Sequence, residues 1–338
     1  MRVITFGELL LRLSAPGYNK LFQRDSLDCT FCGGEANVAV SLSNFGLDSA
    51  FVTKLPDNDV GHAAERSLNE FRVDTSKICY GKGRMGLYYL EKGASQRPSK
   101  VIYDRENSAI SIANIKDFDW NSIFKGADWF HFTGINPALS QTMFEITLEA
   151  CKVAKEKGIT VSCDLNYRKK LWSSVNAQKA MKILLKYVDV CIGNEEDAQM
   201  ALGIEIENDV ENANLNVEGY KTIAEIIQKE YGCQYVAFTL RESYSASVNG
   251  WSAILCHGIN SFLSKKYDIQ LVDRVGGGDS FAAGLIYGLA MQMNKQEAIE
   301  FATAASCLKQ TMEGDFNRVT VDDVFELLSN KGNGRVIR

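Results

Sequence analysis

The sequence predicts an α/β protein: a doubly wound, mostly parallel sheet with a small β-hairpin projecting from it. Short apolar strands alternate with helices from Trp129 onward, which gives a parallel sheet covered on both faces. Before that series, residues 85–103 alternate with a period of two, as in a hairpin that has no place in a βαβ sheet. Glycine clusters directly precede two apolar helices, marking where the backbone approaches a ligand.

The opening Met1 to Phe6 reads as a first strand and not as a signal peptide. Gly33-Gly34-Glu35-Ala36-Asn37 then opens an apolar helix through Val38, Val40, Leu42 and Phe45. Asn37 can donate and accept hydrogen bonds, as a polyhydroxylated ligand requires, and reads equally as a buried helix-start asparagine. Ala50 to Lys54 is expected as a strand and Asp59 to Phe71 as a helix. Met85, Leu87 and Tyr89 pair by alternation with Val101 and Tyr103 across Gly93 and Pro98, which gives the hairpin. Further strands are expected at 129–134, 160–165, 188–193 and 235–240, with helices at 140–157, 177–186, 196–202 and 217–231. Ligands bind beyond the carboxyl ends of such strands. Five polar clusters fall there: Gly7-Glu8, residues 133–136, Asp164 to Arg168, Gly193 to Asp197, and Thr239-Leu240-Arg241.

The chain is read as one domain over 1–338, long enough to bury a sizeable core. Its 46% hydrophobic and 23% charged content is ordinary for a globular protein. With 37 basic against 42 acidic residues and no basic run, neither nucleic acid nor a membrane surface is an expected partner. No apolar run is long enough to span a bilayer. The nine scattered cysteines fit reduced thiols in the cytoplasm. Cys29 and Cys32 have the spacing of a metal half-site, but no second pair follows.

Around Gly276-Gly277-Gly278-Asp279 the chain concentrates its chemistry. Three glycines bring bare N–H groups close to an anion, and the apolar spacing of Phe281, Ala282, Leu285, Ile286 and Leu289 starts a helix there. A helix N-terminus suits a phosphoryl group in transfer. A carboxylate beside it has a natural task in accepting the proton of an attacking hydroxyl. Taken alone, the stretch reads equally as a glycine-rich turn with Asp279 as helix cap.

With these pieces in order, the chain resembles the ribokinase-like, PfkB-type carbohydrate kinases over essentially its full length. Gly33 to Asn37 looks like that family's N-terminal glycine motif, and Gly276 to Gly284 like its C-terminal signature. The resemblance implies ATP and Mg²⁺ as cofactors, an anion hole at Gly276, Gly277 and Gly278, and Asp279 as catalytic base. It also implies a small β-sheet lid contributed by about 10–33 and 85–106, often a subunit contact and hence a homo-oligomer.

Within the family the likeness is nearest to sugar-acid kinases acting on 2-keto-3-deoxygluconate. Tyr103-Asp104-Arg105, Asp164 to Arg168 with Leu171-Trp172, and Gly314 to Asn317 carry it. It implies substrate contacts by Gly34, Asn37, Tyr89, Tyr103, Arg105, Arg168, Asp279 and Asp315. Nucleotide contacts fall to Asn166, Asn194, Thr239, Arg241, Gly276 and Gly278, and magnesium to Asp197, which replaces the glutamate of the family's Asn-x-x-Glu element. Arginine pairs with carboxylates bidentately, so Arg105 and Arg168 suit a sugar acid, against a reading as surface arginines.

Two departures stand out. Thr239 to Tyr244 lacks the glycines of the usual nucleotide loop, and Arg274 stands where threonine usually follows Asp273, which weakens any claim of a monovalent-cation site and leaves cation dependence open. Fructose, ribose or a nucleoside is the alternative substrate on this fold. A sugar-acid sensor that has lost ATP through the altered loop is the alternative of another class.

Overall fold

The computed structural model describes residues 1–204 and 217–329. Its main sheet runs in the order Asn260–Leu263, Val248–His257, Tyr235–Ser243, Val190–Gly193, Thr160–Asp164, Trp129–Thr133, Arg2–Phe6, Asp48–Val52. From Tyr235–Ser243 to Asp48–Val52 every pairing is parallel. The chain goes from Arg2–Phe6 to one neighbour and later returns to the other, so the strand order reverses there and opens a crevice beyond the strand ends.

Successive residues of these strands feed opposite faces. Phe130, Phe132, Val236 and Phe238 pack with the helices Gln141–Glu156 and Val217–Tyr231 on one side. Trp129, Val190, Ile192 and Ala237 pack on the other with the helices Gly34–Asn44, Gly277–Ala290 and Lys295–Lys309. Each fully buried phenylalanine contributes about 1.5–3 kcal/mol, so a sheet apolar on both faces requires both helical layers.

A second sheet, in the order Asp28–Cys32, Leu10–Ser14, Gly86–Glu91, Lys100–Asp104, is the expected lid. Tyr88 pairs with Tyr103 across its antiparallel hairpin. Cys29 is exposed and Cys32 buried. No cluster of three or more metal-ligating side chains occurs among the described residues.

One strand differs from the sequence expectation, which ends it at Leu240. The strand Tyr235–Ser243 runs on through the segment that lacks the nucleotide loop's glycines, into an antiparallel hairpin with Val248–His257. Without glycines the backbone has no cheap route into a tight turn, so it stays extended and Glu242 pairs with Lys266. The strands Asn260–Leu263 and Tyr267–Gln270 complete this antiparallel edge.

Candidate active site

Side chains cap most helices of the main layer. Asn58, Ser140, Ser173, Asn194 and Asn294 each accept a first-turn N–H. The helices Gly34–Asn44 and Gly277–Ala290 begin instead at Gly33 and Gly276, with no side-chain cap. Both of these uncapped ends open into one crevice, where Asn37 Nδ2 donates to Asp279 Oδ2 at 2.6 Å. A Cβ on Gly34 would lie 3.6 Å from Asp279 Oδ1.

Gly276 has φ +80°, and a Cβ there would stand 2.3 Å from the Asp315 carbonyl oxygen, so only glycine fits. Gly277 N–H turns back to the Arg274 carbonyl at 3.3 Å, while the Gly276, Gly278 and Asp279 amides have no main-chain acceptor among the described residues. A Cβ on Gly278 would meet nothing within 4 Å. Unpaired donors beside open space, at the positive end of a helix, make an anion site.

Asp279 lies between two cavities. The smaller, about 110 Å³, is lined by Gly34, Asn37, Tyr103, Arg105 and Asp315, among others. The larger, about 510 Å³, is lined by Asn166, Asn194, Thr239, Arg241, Gly276 and Gly278, among others. Arg168 and Asp279 belong to both. Each of the five strand-end clusters contributes to one or the other, because the strands end in register, Thr133 beside Asp164 beside Ile192.

Asn166 adopts φ +39°, uncommon outside glycine, and its buried Oδ1 has no protein partner. Strain of that kind together with an unpaired acceptor fits a ligand contact.

Tyr89 is placed elsewhere. Its ring lies near exposed Phe22, 6.2 Å between centroids, and Tyr88 lines the small cavity in its place. Side chains of a strand alternate, and Tyr88 shares its face with its cross-strand partner Tyr103, so Tyr89 must project from the other face. The Tyr88 hydroxyl donates to Asp315 Oδ2 at 2.6 Å. Asp315 in turn pairs with Arg12, which is wholly buried and also donates to Asp273 at 2.6 Å.

Nor are the two arginines equivalent. Arg105 is 8% exposed and its Nε donates at 2.7 Å to Glu8, which also receives Nη2. Glu8 Oε1 is buried without a partner. Arg168 is exposed and, among the described residues, its guanidinium donates only to its own neighbour's carbonyl at 3.1 Å and has no carboxylate within salt-bridge distance, though its charge works against the burial that raises the pKa of Asp164, Asp197 and Asp279. Arg168 is therefore a cation without a salt bridge among the described residues, on the lining of both cavities.

Arg274 was legible in the sequence only as a departure. It lines the larger cavity, where burial and then the charge of Arg241 push its pKa down. The repulsion between these two guanidiniums is of the kind that a polyanion relieves.

Asp197 Oδ2 accepts the Asn194 N–H at 3.1 Å in a capping box, and Oδ1 accepts the Tyr167 N–H at 2.7 Å. Both oxygens thus already hold backbone. Burial nevertheless raises its pKa to about 6, and the Asp164 carboxyl is pushed well above its usual range, by burial first and by the charges of Asp197 and Asp279 next.

Asp279 is raised to about 6, mainly by burial, against the opposing hydrogen bond from Asn37. A base with that pKa is ionised at neutral pH and still basic enough to take a proton. If Asp279 serves as the base, its working form is the carboxylate, and log kcat/KM is then expected to hold level above pH 7 and fall with unit slope below about pH 6. A profile flat to pH 5 would show that no such base operates.

The family model for pfkB family carbohydrate kinases matches residues 2–319. The chain belongs to this family. A 2-dehydro-3-deoxygluconokinase of Thermotoga maritima has a crystal structure that superimposes with a TM-score of 0.94 at 52% identity, covering 97% of this chain and 98% of that one. A 2-dehydro-3-deoxygalactonokinase of Haloferax volcanii is 32% identical over 96% of each chain. At 26% identity, a 2-dehydro-3-deoxygluconokinase of Bacillus subtilis aligns over 93% of this chain and 91% of its own. The kinase therefore shares its architecture with sugar-acid kinases over nearly its whole length.

Proposed function

We propose that this kinase transfers the γ-phosphoryl group of ATP to the primary 6-hydroxyl of 2-keto-3-deoxygluconate, the compound also named 2-dehydro-3-deoxygluconate. The observation that carries the substrate choice is Arg168, an arginine with no carboxylate partner among the described residues, on the lining of the cavity that Gly34, Asn37 and Asp279 also line. A sugar acid brings the missing carboxylate. The likeness to the Thermotoga and Bacillus gluconokinases supports the same choice.

In this reading Asp279 takes the hydroxyl proton while Asn37 holds its other oxygen. The Gly276, Gly278 and Asp279 amides receive the phosphoryl oxygens, and Arg241 with Arg274 meets the rest of the nucleotide. Gly277 acts through its conformation and close packing, since its own N–H is used internally. Tyr103, Asp315 and Arg105 shape the sugar cavity. Tyr88, not Tyr89, supplies the second aromatic wall.

Magnesium fits beside the Asp164–Asp197 pair, whose mutual repulsion a cation relieves, with the nucleotide phosphates as its chief ligands. It would neutralise charge on the β- and γ-oxygens. Asp197→Ala should then raise the magnesium concentration for half-maximal rate several-fold while sugar affinity holds. An unchanged magnesium titration would leave Asp197 as a helix cap alone.

The exposed Phe22 and Ile102 on the lid support a homo-oligomer formed through that sheet. All nine cysteines are free, seven of them buried, which supports a reducing, cytoplasmic setting for a single kinase domain. No helix among the described residues is long and apolar enough to cross a membrane. Phosphorus NMR of the product tests the regiochemistry. A phosphomonoester coupled to two methylene protons is expected, and coupling to a single methine proton would rule out transfer to the 6-hydroxyl.

A further inference from the structure

Lys309 ends the helix Lys295–Lys309 and is 0% exposed, an unusual place for an ammonium. Its Nζ donates to two main-chain carbonyls of the turn before the glycines, Asp273 O at 3.1 Å and Val275 O. Burial holds its pKa below the ordinary lysine value, opposed chiefly by the charges of Asp273 and Asp315. Those two carboxylates are themselves held by Arg12, so two cations and two anions balance beneath the turn. The Lys309 charge acts on Asp279 only as one of the smaller influences on that carboxyl's pKa.

The same helix end grips the turn at further points. Ser306 Oγ donates to Gly277 O at 2.7 Å, and Gln310 O accepts the Val272 and Asp273 amides at 3.0 and 3.2 Å. Peptide planarity gives these contacts a consequence. In a trans peptide the C=O of one residue and the N–H of the next point in opposite directions. Drawing the Val275 carbonyl onto Lys309 turns the Gly276 N–H away from the helix, and drawing the Gly277 carbonyl onto Ser306 does the same for the Gly278 N–H. Gly276 and Gly278 are two of the amides left without a main-chain acceptor.

We propose that the Lys309 ammonium is a tethered cation: a positioning residue that gathers the Asp273 and Val275 carbonyls as a free monovalent ion would, and so aims the glycine amides at the phosphoryl group. Backbone carbonyls bind K⁺ by replacing its hydration shell, and an ammonium on a lysine stem supplies equivalent charge without ion binding. The kinase is thereby independent of monovalent cations. This inference rests on the phosphoryl-transfer reading of the glycine turn.

The test begins with the unmodified kinase, magnesium-ATP and the sugar acid in a tetramethylammonium buffer. Turnover there tests the underlying reading by itself. Adding Li⁺, Na⁺, K⁺ or NH₄⁺ should change the rate by less than about twofold; activation of several-fold by K⁺ would overturn the proposal, and this arm needs no variant. Lys309→Ala should lower kcat about 10²-fold, the scale of losing an oxyanion donor, with the KM for sugar little changed. K⁺ or NH₄⁺ should restore at least tenfold of that loss and Li⁺ should not. Lys309→Met keeps the stem's volume, so it should lose the rate and resist rescue. A folded Lys309→Ala with near-normal kcat, or one that no cation rescues although its melting temperature is unchanged, would also overturn it.

Discussion

Asp279→Asn is expected to lower kcat by about 10²- to 10⁴-fold, the range that a positioned general base contributes. The amide keeps the size of the carboxylate but takes no proton from the attacking hydroxyl. Sugar KM should move little, because Asn37, Arg168 and the lid residues that shape the cavity are untouched. Stability provides the control. A buried carboxyl whose pKa is raised to about 6 favours folding only while protonated, and that contribution is lost as pH rises through 6. At pH 7.5 the neutral asparagine should therefore leave the melting temperature no lower than that of the parent. Near-normal turnover in a stable variant would reduce Asp279 to a helix-start residue.

The second large effect separates the two arginines. Arg168→Ala removes a guanidinium that has no salt bridge among the described residues, so the affinity for the keto-acid should fall by roughly 1.5–3 kcal/mol, the worth of a hydrogen bond to a charged group. A neutral sugar such as fructose has no carboxylate to lose, and its weak turnover should be nearly indifferent. Lysine at that position should rescue only in part, since an ammonium lacks the planar fork.

Arg105→Ala should behave differently. It strands the buried Glu8 carboxylate, so both substrates should suffer and the protein should lose stability. Arg105→Ala with Glu8→Gln should recover the stability but not the full affinity. Equal losses for both substrates in Arg168→Ala would mean that Arg168 serves the nucleotide and not the sugar acid.

Much of this site was legible in the sequence because glycines and strand ends are local signals. Gly33 to Asn37 and Gly276 to Asp279 each announce a helix that begins without a side-chain cap, and the parallel strands bring their polar ends to one level. Parity within the lid was not legible. Whether Tyr88 or Tyr89 faces the cavity depends on the pairing with Leu10–Ser14 and Lys100–Asp104, and both residues are tyrosine. The Glu8–Arg105 pair spans 97 residues and leaves no local trace.

Val248–His257 is buried along nearly its whole length, so it shows no alternation to mark a strand, and the edge hairpin was missed. Lys309 looks in sequence like any basic residue in a helix's last turn. Only the fold shows that its helix ends beneath the glycine turn.

The central claim is that the glycine turn and Asp279 phosphorylate a sugar acid. Steady-state kcat/KM for magnesium-ATP-dependent ADP release, measured on one preparation with 2-keto-3-deoxygluconate, its galactonate epimer, fructose and ribose, tests it most directly. The account predicts that the keto-acid exceeds fructose and ribose by at least about 10²-fold, the discrimination that a charged group left unpaired imposes. Fructose or ribose turning over faster than the keto-acid would contradict it.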